Sequence, residues 1–427
     1  MNANGRRPAI LGGNRIPFAR TNGSYADASN QDMLTATIDG LVARFSLQGE
    51  RLGEVAAGAV LKHSRDFNLT RECVLGSALD HTTPAYDVQQ ACDTSLEATI
   101  LVGNKIAMGQ IEAGIAAGAD TASDAPIEVN DDLRRVLLDI NAAKSPADRV
   151  KLLGRLRPGQ IVPEIPRNAE PRTGMSMGEH QATTTRDWNI SRLEQDEIAA
   201  ASHQRLAAAY ERGFFDDLVT PYLGLDRDQN MRPDSTPEKL AKLKPVFGDG
   251  DDATMTAGNS TPLSDGAAAV LLASDEWAAK HDLPVLAYLV DCEAEAVDYV
   301  HGEDGLLMAP VYAVPRLLER NGLKLQDFDF YEIHEAFASQ IATTLKAWDD
   351  PEFCRERLGR DEPLGSIDRE KLNVNGSSLA VGHPFAATGA RIVGTLAKLL
   401  AEKGSGRGLI SVCAAGGQGL VAILERP

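Results

Sequence analysis

Four side chains in this sequence combine reactive chemistry with positions where the backbone must turn. Cys92 lies in YDVQQACDTSLEATILVGNKIAMGQIEAGIAAGAD, residues 86 to 120. That stretch reads as a short apolar strand, a tight turn at Cys92, a small-residue helix and a second strand ending at Asp120. A cysteine at a helix start meets unpaired N–H groups and the positive end of the dipole, which favour an anion. A free thiol titrates near ~8.5, and a neighbouring histidine can lower that by units. Taken alone, a buried structural cysteine accounts for the same residue. Three clusters further on change the balance. YEIHEAF, 331 to 337, sets His334 and Glu335 at a strand-to-helix junction. In NGSSLAVGHPFAATGAR, 375 to 391, Gly382 and Pro384 fix His383 just before a helix. CAAGGQG, 413 to 419, is a glycine-rich turn behind a strand, where backbone can approach a ligand and aim N–H groups at it. Each cluster by itself is a turn. Together with a helix-start cysteine they point to thiol, imidazole and backbone donors converging on one site.

The elements that must position these groups follow from periodicity. Pro8 to Gly12 reads as a strand, Asp32 to Phe45 as a helix with Leu34, Ile38, Leu41 and Phe45 on one face, Val55 to Leu61 as a strand, and Leu69 to Leu79 as a helix. Strands alternating with helices imply an α/β layer. From 121 to 250 the character changes to prolines and charged helical patterns. Asp131 to Ile140 and Ala147 to Leu156 form an amphipathic pair, with Leu133, Val136, Leu137 and Ile140 on one side. Lys144, Arg149, Lys151, Arg155 and Arg157 cluster there, a set that fits a phosphate, a solvated face or a protein contact. Ser191 to Arg212 reads as a long helix with a Ser191–Glu194 capping box and a stop at Gly213. Alternation resumes at 251, with a strand from Ala267 to Ala273, strands at Val285 to Asp291 and Phe328 to Ile333, and helices at Tyr312 to Arg320 and Glu335 to Trp348. Asp349 to Lys371 reads as a polar surface excursion. A helix from Phe385 to Lys403 and strands at Gly408 to Cys413 and Leu420 to Glu425 close the chain. The turn–helix–strand after Cys92 parallels the one after His383. Two copies of one α/β unit facing each other would bring both turns to a shared cleft, where strand ends and helix starts bind ligands.

Bulk properties bound the partners. The chain has 427 residues and a formal charge of −18, with 43% hydrophobic and 24% charged residues. This is a globular balance, and the charge argues against nucleic acid or an anionic membrane as the main partner. Five widely spaced cysteines without a CxxC pair suggest a reducing compartment and no zinc site. The opening, MNANGRRPAILGG, shows no signal core or transit pattern, and no stretch nears the ~20 apolar residues of a membrane span. The expected location is the cytoplasm.

Cys92, the HEAF loop, the GHP loop and the final CAAGGQG, in that order, resemble the thiolases, the acyl-CoA:acetyl-CoA C-acyltransferases. TAGNSTPLSDGAAA, 256 to 269, and the Met177-Gly178 pair resemble further thiolase segments. HEAF, where many thiolases have NEAF, is similar to the branch containing the fatty-acid-oxidation trifunctional β subunit and its bacterial relatives. The resemblance implies an α/β thiolase fold of layered αβαβα type. Residues 1–120 would form the N-terminal half, 121–250 an inserted, mostly helical, CoA-binding loop domain, 251–275 the completion of the first half, and 276–427 the C-terminal half. It implies 3-ketoacyl-CoA cleavage by CoA in β-oxidation, with coenzyme A and acyl-CoA as substrates and no metal or other cofactor. Cys92 would be the nucleophile, His383 its base, and Cys413 the group exchanging the second proton. His334 with His383 would hold the acetyl-CoA thioester oxygen. The backbone N–H groups of Cys92 and Ala415 would hold the other oxyanion. Met177, Thr261, Met308 and Phe337 map to the pantetheine channel and Arg232 to a nucleotide contact. The family further implies a homodimer or dimer of dimers and a hydratase–dehydrogenase partner for the loop region.

The sequence departs from the family at three places: Asp93 follows the nucleophile, Ala415 stands where glycine is common, and His334 replaces asparagine. A carboxylate at 93 disfavours the neighbouring thiolate unless it faces solvent. Competing readings are a biosynthetic acetoacetyl-CoA thiolase, a weakly active scaffold or acyl-CoA-binding subunit, and a ketoacyl synthase, which would use one cysteine with two histidines and have no need of Cys413.

Overall fold

A computed structural model describes residues 6–250 and 252–427. Met1–Gly5, which open the stretch read as free of a targeting segment, lie outside the described residues, as does Asp251 at the expected resumption of alternation.

Among the described residues one large sheet runs through the molecule. Its order is Phe330–Ile333, Gly406–Ala414, Gln418–Arg426, Ala287–Ala296, Ala9–Arg15, Ser264–Ala273, Ala113–Asp120, Glu54–Ala57 and Ala85–Asp87. The halves meet at a narrow seam, where Ala9 pairs with Tyr288 and Ile10 with Ala287. Away from the seam the ladders are long: Ser264–Ala273 pairs with Ala113–Asp120 from Gly266/Asp120 to Ala273/Ala113. These two strands are buried at every position, which explains runs such as AGIAAGAD that show no alternation.

Helices cover both outer faces. Asn30–Arg44 and Leu69–Gly76 pack one core with the first half's strands. Ala309–Asn321 and Ala338–Asp349 pack another with the second half's. Between them lie Thr94–Ala107 and Thr388–Lys403, which share one apolar cluster with strands of both halves. The layering is therefore αβαβα. Thr388–Lys403 is buried along most of its length, Arg391 included. The two inner helices touch through backbone: a Cβ on Gly389 would lie 2.3 Å from the Leu96 nitrogen. The amide of Ala390 donates to Ser95 Oγ at 2.8 Å.

The chain leaves the sheet at Asp120 and returns at Ser264, carrying the helices Asp131–Ala142, Pro146–Leu153, Met177–Asp187 and Arg192–Glu211 between. Ser191 caps the last by accepting from the Glu194 amide, and Gly213 ends it at φ 76°. Of the apolar face expected on Asp131–Ala142, Val136 is buried while Leu137 is exposed, together with Leu138. Three readings need correction. The strand at 55 to 61 spans Glu54–Ala57, because Gly58 must pass Val88: a Cβ there would meet the Val88 carbonyl oxygen at 1.8 Å. The helix at 385 starts later, Phe385–Ala387 forming a 3-10 turn before Thr388. The polar excursion at 349 to 371 holds a helix, Pro351–Glu356, capped by Asp350, and buries Cys354, Leu364 and Ile367 in the outer core of the second half. Its charged residues hid that small apolar set.

Candidate active site

Cys92 sits two residues before Thr94–Ala107, and Ala91 carries the turn at φ 47°. A left-handed conformation at a non-glycine residue is held by its surroundings and concentrates at functional sites. Here Gln90 and Cys92 form a β-bridge, and the Gln90 amide donates to Thr94 Oγ1 at 2.9 Å. His383 arrives from the other half. Gly382 takes φ 107°, and a Cβ on it would lie 2.6 Å from both Ser264 Oγ and Asn230 Nδ2. The His383 amide donates to Ser264 Oγ at 3.2 Å. Asp120, at the end of its strand, accepts from Val60, Leu61 and Ala386 amides and so ties the first half to the turn after His383. The outcome is a 3.1 Å contact between His383 Nε2 and Cys92 Sγ. On the far side of the ring, Nδ1 meets Thr388 Oγ1 at 2.6 Å. With Nδ1–H donated to Thr388, the Nε2 lone pair is free to accept the thiol proton.

His334 follows the strand Phe330–Ile333, and its amide donates to the Ser411 carbonyl at 2.8 Å. Its ring lies 4.1 Å from that of His383, centroid to centroid. One ring nitrogen of each histidine and Cys92 Sγ lie within 4.8 Å of one another. Cys413 is near the end of Gly406–Ala414, 1% exposed, and within electrostatic reach of Cys92. The amides of Ala415 and Cys92 both reach the Cys92 sulfur. Gly416 and Gly417 turn at φ 80° and 72°, and Glu170 of the insertion pins the turn by accepting the Gly416 amide at 3.1 Å. The structure thus brings Cys92, His383, His334, Cys413 and the Ala415 amide into one buried cluster.

The resting charges differ from the first expectation. Burial, followed by the Asp93 charge, pushes the Cys92 thiol up rather than down, and the two amides oppose this without overcoming it. Burial, with Arg391 adding to it, pushes His383 down to about 3. The resting pair is therefore neutral thiol and neutral imidazole. Asp93 does not face solvent; it is fully buried, and neither carboxyl oxygen has a hydrogen-bond partner. Burial and then the Glu97 charge raise its titration well above the usual aspartate value. Burial raises Cys413 as well, reinforced by Cys92.

Keeping His383 neutral has a pH consequence. Its folded value, about 3, lies below the unfolded value near ~6.5, so the unfolded chain binds the extra proton first. The contribution is present above pH ~6.5 and is lost as pH falls toward 3. A His383→Gln variant is expected to lose thermal stability less steeply over that window than the parent. Equal slopes by differential scanning fluorimetry would count against this charge state.

The expected CoA contacts divide. Met177 and Phe337 pack with Ala182, Phe247, Met255, Tyr299 and Cys413 in one cluster. Thr261 is bound to the HEAF loop, its amide and hydroxyl both donating to the Ala336 carbonyl at 3.1 Å. Met308 instead belongs to the outer core of the second half, packed among Val311, Val314 and Leu317. Arg232 is exposed, with its amide donating to His203 Nδ1 at 3.2 Å. A cleft of about 730 Å³ opens on the insertion, lined by Ser176, Arg186, Phe247, Thr254 and Met255 among others. Phe247 and Met255 join it to the Cys413 cluster. The sequence reading missed Phe247, Met255, Thr388, Ser378 and Glu170. Thr388 and Ser378 lay inside the quoted GHP motif and were the findable ones.

Comparison with known proteins agrees with this geometry. The family model described as "Thiolase, N-terminal domain" matches residues 8–276, and "Thiolase, C-terminal domain" matches 283–426. Proteins named 3-ketoacyl-CoA thiolase from Yersinia pestis and Yersinia pseudotuberculosis are 40% identical over 99% of this chain and 97% of their own length. Among solved structures, Bacillus anthracis acetyl-CoA acetyltransferase superposes with TM-score 0.81 at 28% identity over 98% of both chains. Human mitochondrial 3-ketoacyl-CoA thiolase does so with TM-score 0.81 at 26% identity over 99% of both. With both domain models matched in order across 8–426 and these relatives covered almost end to end, the chain belongs to the thiolase family.

Proposed function

We propose that this chain is an acetyl-CoA C-acyltransferase of the 3-ketoacyl-CoA thiolase kind, cleaving 3-ketoacyl-CoA with CoA to acetyl-CoA and a shortened acyl-CoA in β-oxidation. The observation that carries the reading is the 3.1 Å Cys92–His383 contact, made from opposite halves, with a second thiol in the same pocket.

Proton bookkeeping runs through this chain's own groups. His383 Nε2 takes the Cys92 proton, and the thiolate adds to the 3-keto carbon. The C2–C3 bond breaks, leaving an acyl thioester on Cys92 and an acetyl-CoA enolate. Cys413 gives its proton to the enolate carbon, and acetyl-CoA departs. The Cys413 thiolate then takes the proton of incoming CoA. CoA thiolate attacks the acyl group, and released Cys92 recovers its proton from His383. Two oxyanions need donors. His334 with His383 serves the enolate oxygen, and the Cys92 and Ala415 amides serve the tetrahedral oxygen. Each such donor is worth ~10²–10³ in rate. The high thiol value of Cys413 suits a group that holds its proton until an enolate forms. Met177, Thr261 and Phe337 are assigned to the pantetheine path and the insertion cleft, with Arg186 at its wall, to the CoA entrance. Met308 is assigned to the same path and Arg232 to a nucleotide contact.

Thiolysis rates across 3-ketoacyl-CoA chain lengths test the reading. Cleavage of medium and long chains is expected. Strict four-carbon preference would favour the biosynthetic reading, and no cleavage at any length would end it. The finer expectations extend the proposal: a cytoplasmic homodimer or dimer of dimers, checked by sedimentation, and a hydratase–dehydrogenase partner. Exposed Ile127, Leu138, Val150, Leu153, Ile161 and Ile165 on the insertion support a partner surface there. No helix among the described residues is long and apolar enough to cross a membrane.

A further inference from the structure

His334 is fully buried, and its two ring nitrogens have different fates. Nδ1 meets Ser378 Oγ at 2.8 Å. Nε2 has no hydrogen-bond partner, although it is buried. A buried polar atom without a partner calls for an explanation, and a reacting group is one. The tautomer of the ring decides what that nitrogen can do.

Ser378 Oγ has a second neighbour. Arg391 Nη2 donates to it at 2.8 Å, while Arg391 Nη1 donates to Ser377 Oγ at 3.1 Å. A guanidinium has N–H donors and no acceptor. The hydroxyl of Ser378 therefore accepts from Arg391 and must send its own proton elsewhere. His334 Nδ1 is its other partner. Were Nδ1 protonated, the hydroxyl proton would be buried with no acceptor, an unfavourable state. The consistent arrangement is Arg391 donating to Ser378 and Ser378 donating to His334 Nδ1. The remaining ring proton is then on Nε2.

We propose that Arg391, acting through Ser378, is the positioning residue that fixes His334 as the Nε2–H tautomer and so presents a neutral N–H donor to the thioester oxygen. The inference rests on the thiolase reading of the pocket and deepens it. Neither Arg391 nor Ser378 touches the reacting atoms. Arg391 is itself 4% exposed; burial lowers its titration to about 10, opposed by Glu332, Glu335 and Asp228, and this leaves it cationic at neutral pH. Burial, then His383, then Arg391 all disfavour an imidazolium at 334, consistent with a neutral ring.

The test is a tautomer measurement on the intact enzyme labelled with [15N]histidine, using long-range proton–nitrogen correlations. The His334 signals are assigned by their loss in His334→Asn. The expected result at pH 7.5 is a protonated Nε2 and an unprotonated Nδ1. A protonated Nδ1, or both nitrogens protonated, overturns the proposal. In Ser378→Ala the tautomers are expected to mix, with kcat for thiolysis falling roughly 10- to 100-fold while KM stays within about threefold. Arg391→Gln should shift both readouts in the same direction, and Arg391→Lys should recover part of the loss. A folded Ser378→Ala enzyme with the parental tautomer and kcat also overturns it. Should the variants fail to fold, the parental tautomer still decides. That readout needs no turnover, so an Nε2–H signal in an enzyme unable to cleave 3-ketoacyl-CoA would remove the functional reading and leave the relay standing.

Discussion

A Cys92→Ser enzyme is expected to bind CoA as the parent does and to lose thiolysis by about 10⁴-fold or more, the scale of removing a covalent nucleophile from a unit that works together. The argument is one of acidity and seat. His383 accepts the proton at 3.1 Å as a weak base, with its own value near 3. A thiol already raised by burial is a demanding partner for such a base, and a serine hydroxyl is far more so. The pair can transfer a proton only when the products are stabilised together: a thiolate held by the Ala415 and Cys92 amides beside an imidazolium. Alcohol oxygen gains the same amides but starts much higher. Calorimetric CoA affinity separates this result from misfolding. Turnover within tenfold of the parent would remove Cys92 from the nucleophile's role. Iodoacetamide supplies a second arm: alkylation at Cys92 should end turnover, and full activity after stoichiometric alkylation there would contradict the same assignment.

Cys413→Ala is expected to lower thiolysis by ~10²–10⁴, the range of a placed acid or base. It should also abolish exchange of acetyl-CoA methyl protons with solvent deuterium. The second readout is the sharper one. Methyl exchange needs a group that removes and returns a proton at C2 of acetyl-CoA, and His383 is committed to Cys92. Cys413 is 1% exposed, so bulk water is a poor substitute. Acylation of Cys92 by a simple acyl-CoA should fall less than methyl exchange, because that half-reaction forms no enolate and uses Cys413 only to protonate the departing CoA. Undiminished methyl exchange in the variant would instead favour the ketoacyl-synthase arrangement of one cysteine and two histidines.

The reactive residues were legible because each sits at a turn whose local sequence announces it. Gly382 and Pro384 bracket His383, glycines follow Cys413, and a small-residue helix follows Cys92. What supports them was not legible, because the partners are remote in the chain. Asp120 reaches Ala386, Ser264 reaches His383, and Glu170 reaches Gly416. No spacing rule connects such pairs. The acidity of Cys92 was read with the wrong sign for a related reason: the helix start is a local feature, whereas burial is supplied by the whole second half. Met308 packs against Val311, Val314 and Leu317 in the outer core of the second half, neighbours its residue type alone does not reveal. The acidic run from Asp349 concealed an apolar trio for want of any period long enough to reveal it. The thiolase fold was legible as two α/β units, and the single sheet joining them at a two-pair seam was not.

The backbone contact between Gly389 and Leu96 carries a last implication. Nucleophile and base belong to separate halves, and the helices behind them touch too closely to slide. A chain with one half formed and the other open has a cysteine but no base beside it. Reactivity thus requires both halves to be docked, and a molecule with either half open presents an unremarkable thiol, shielded from stray acylation by the incompleteness of its own architecture.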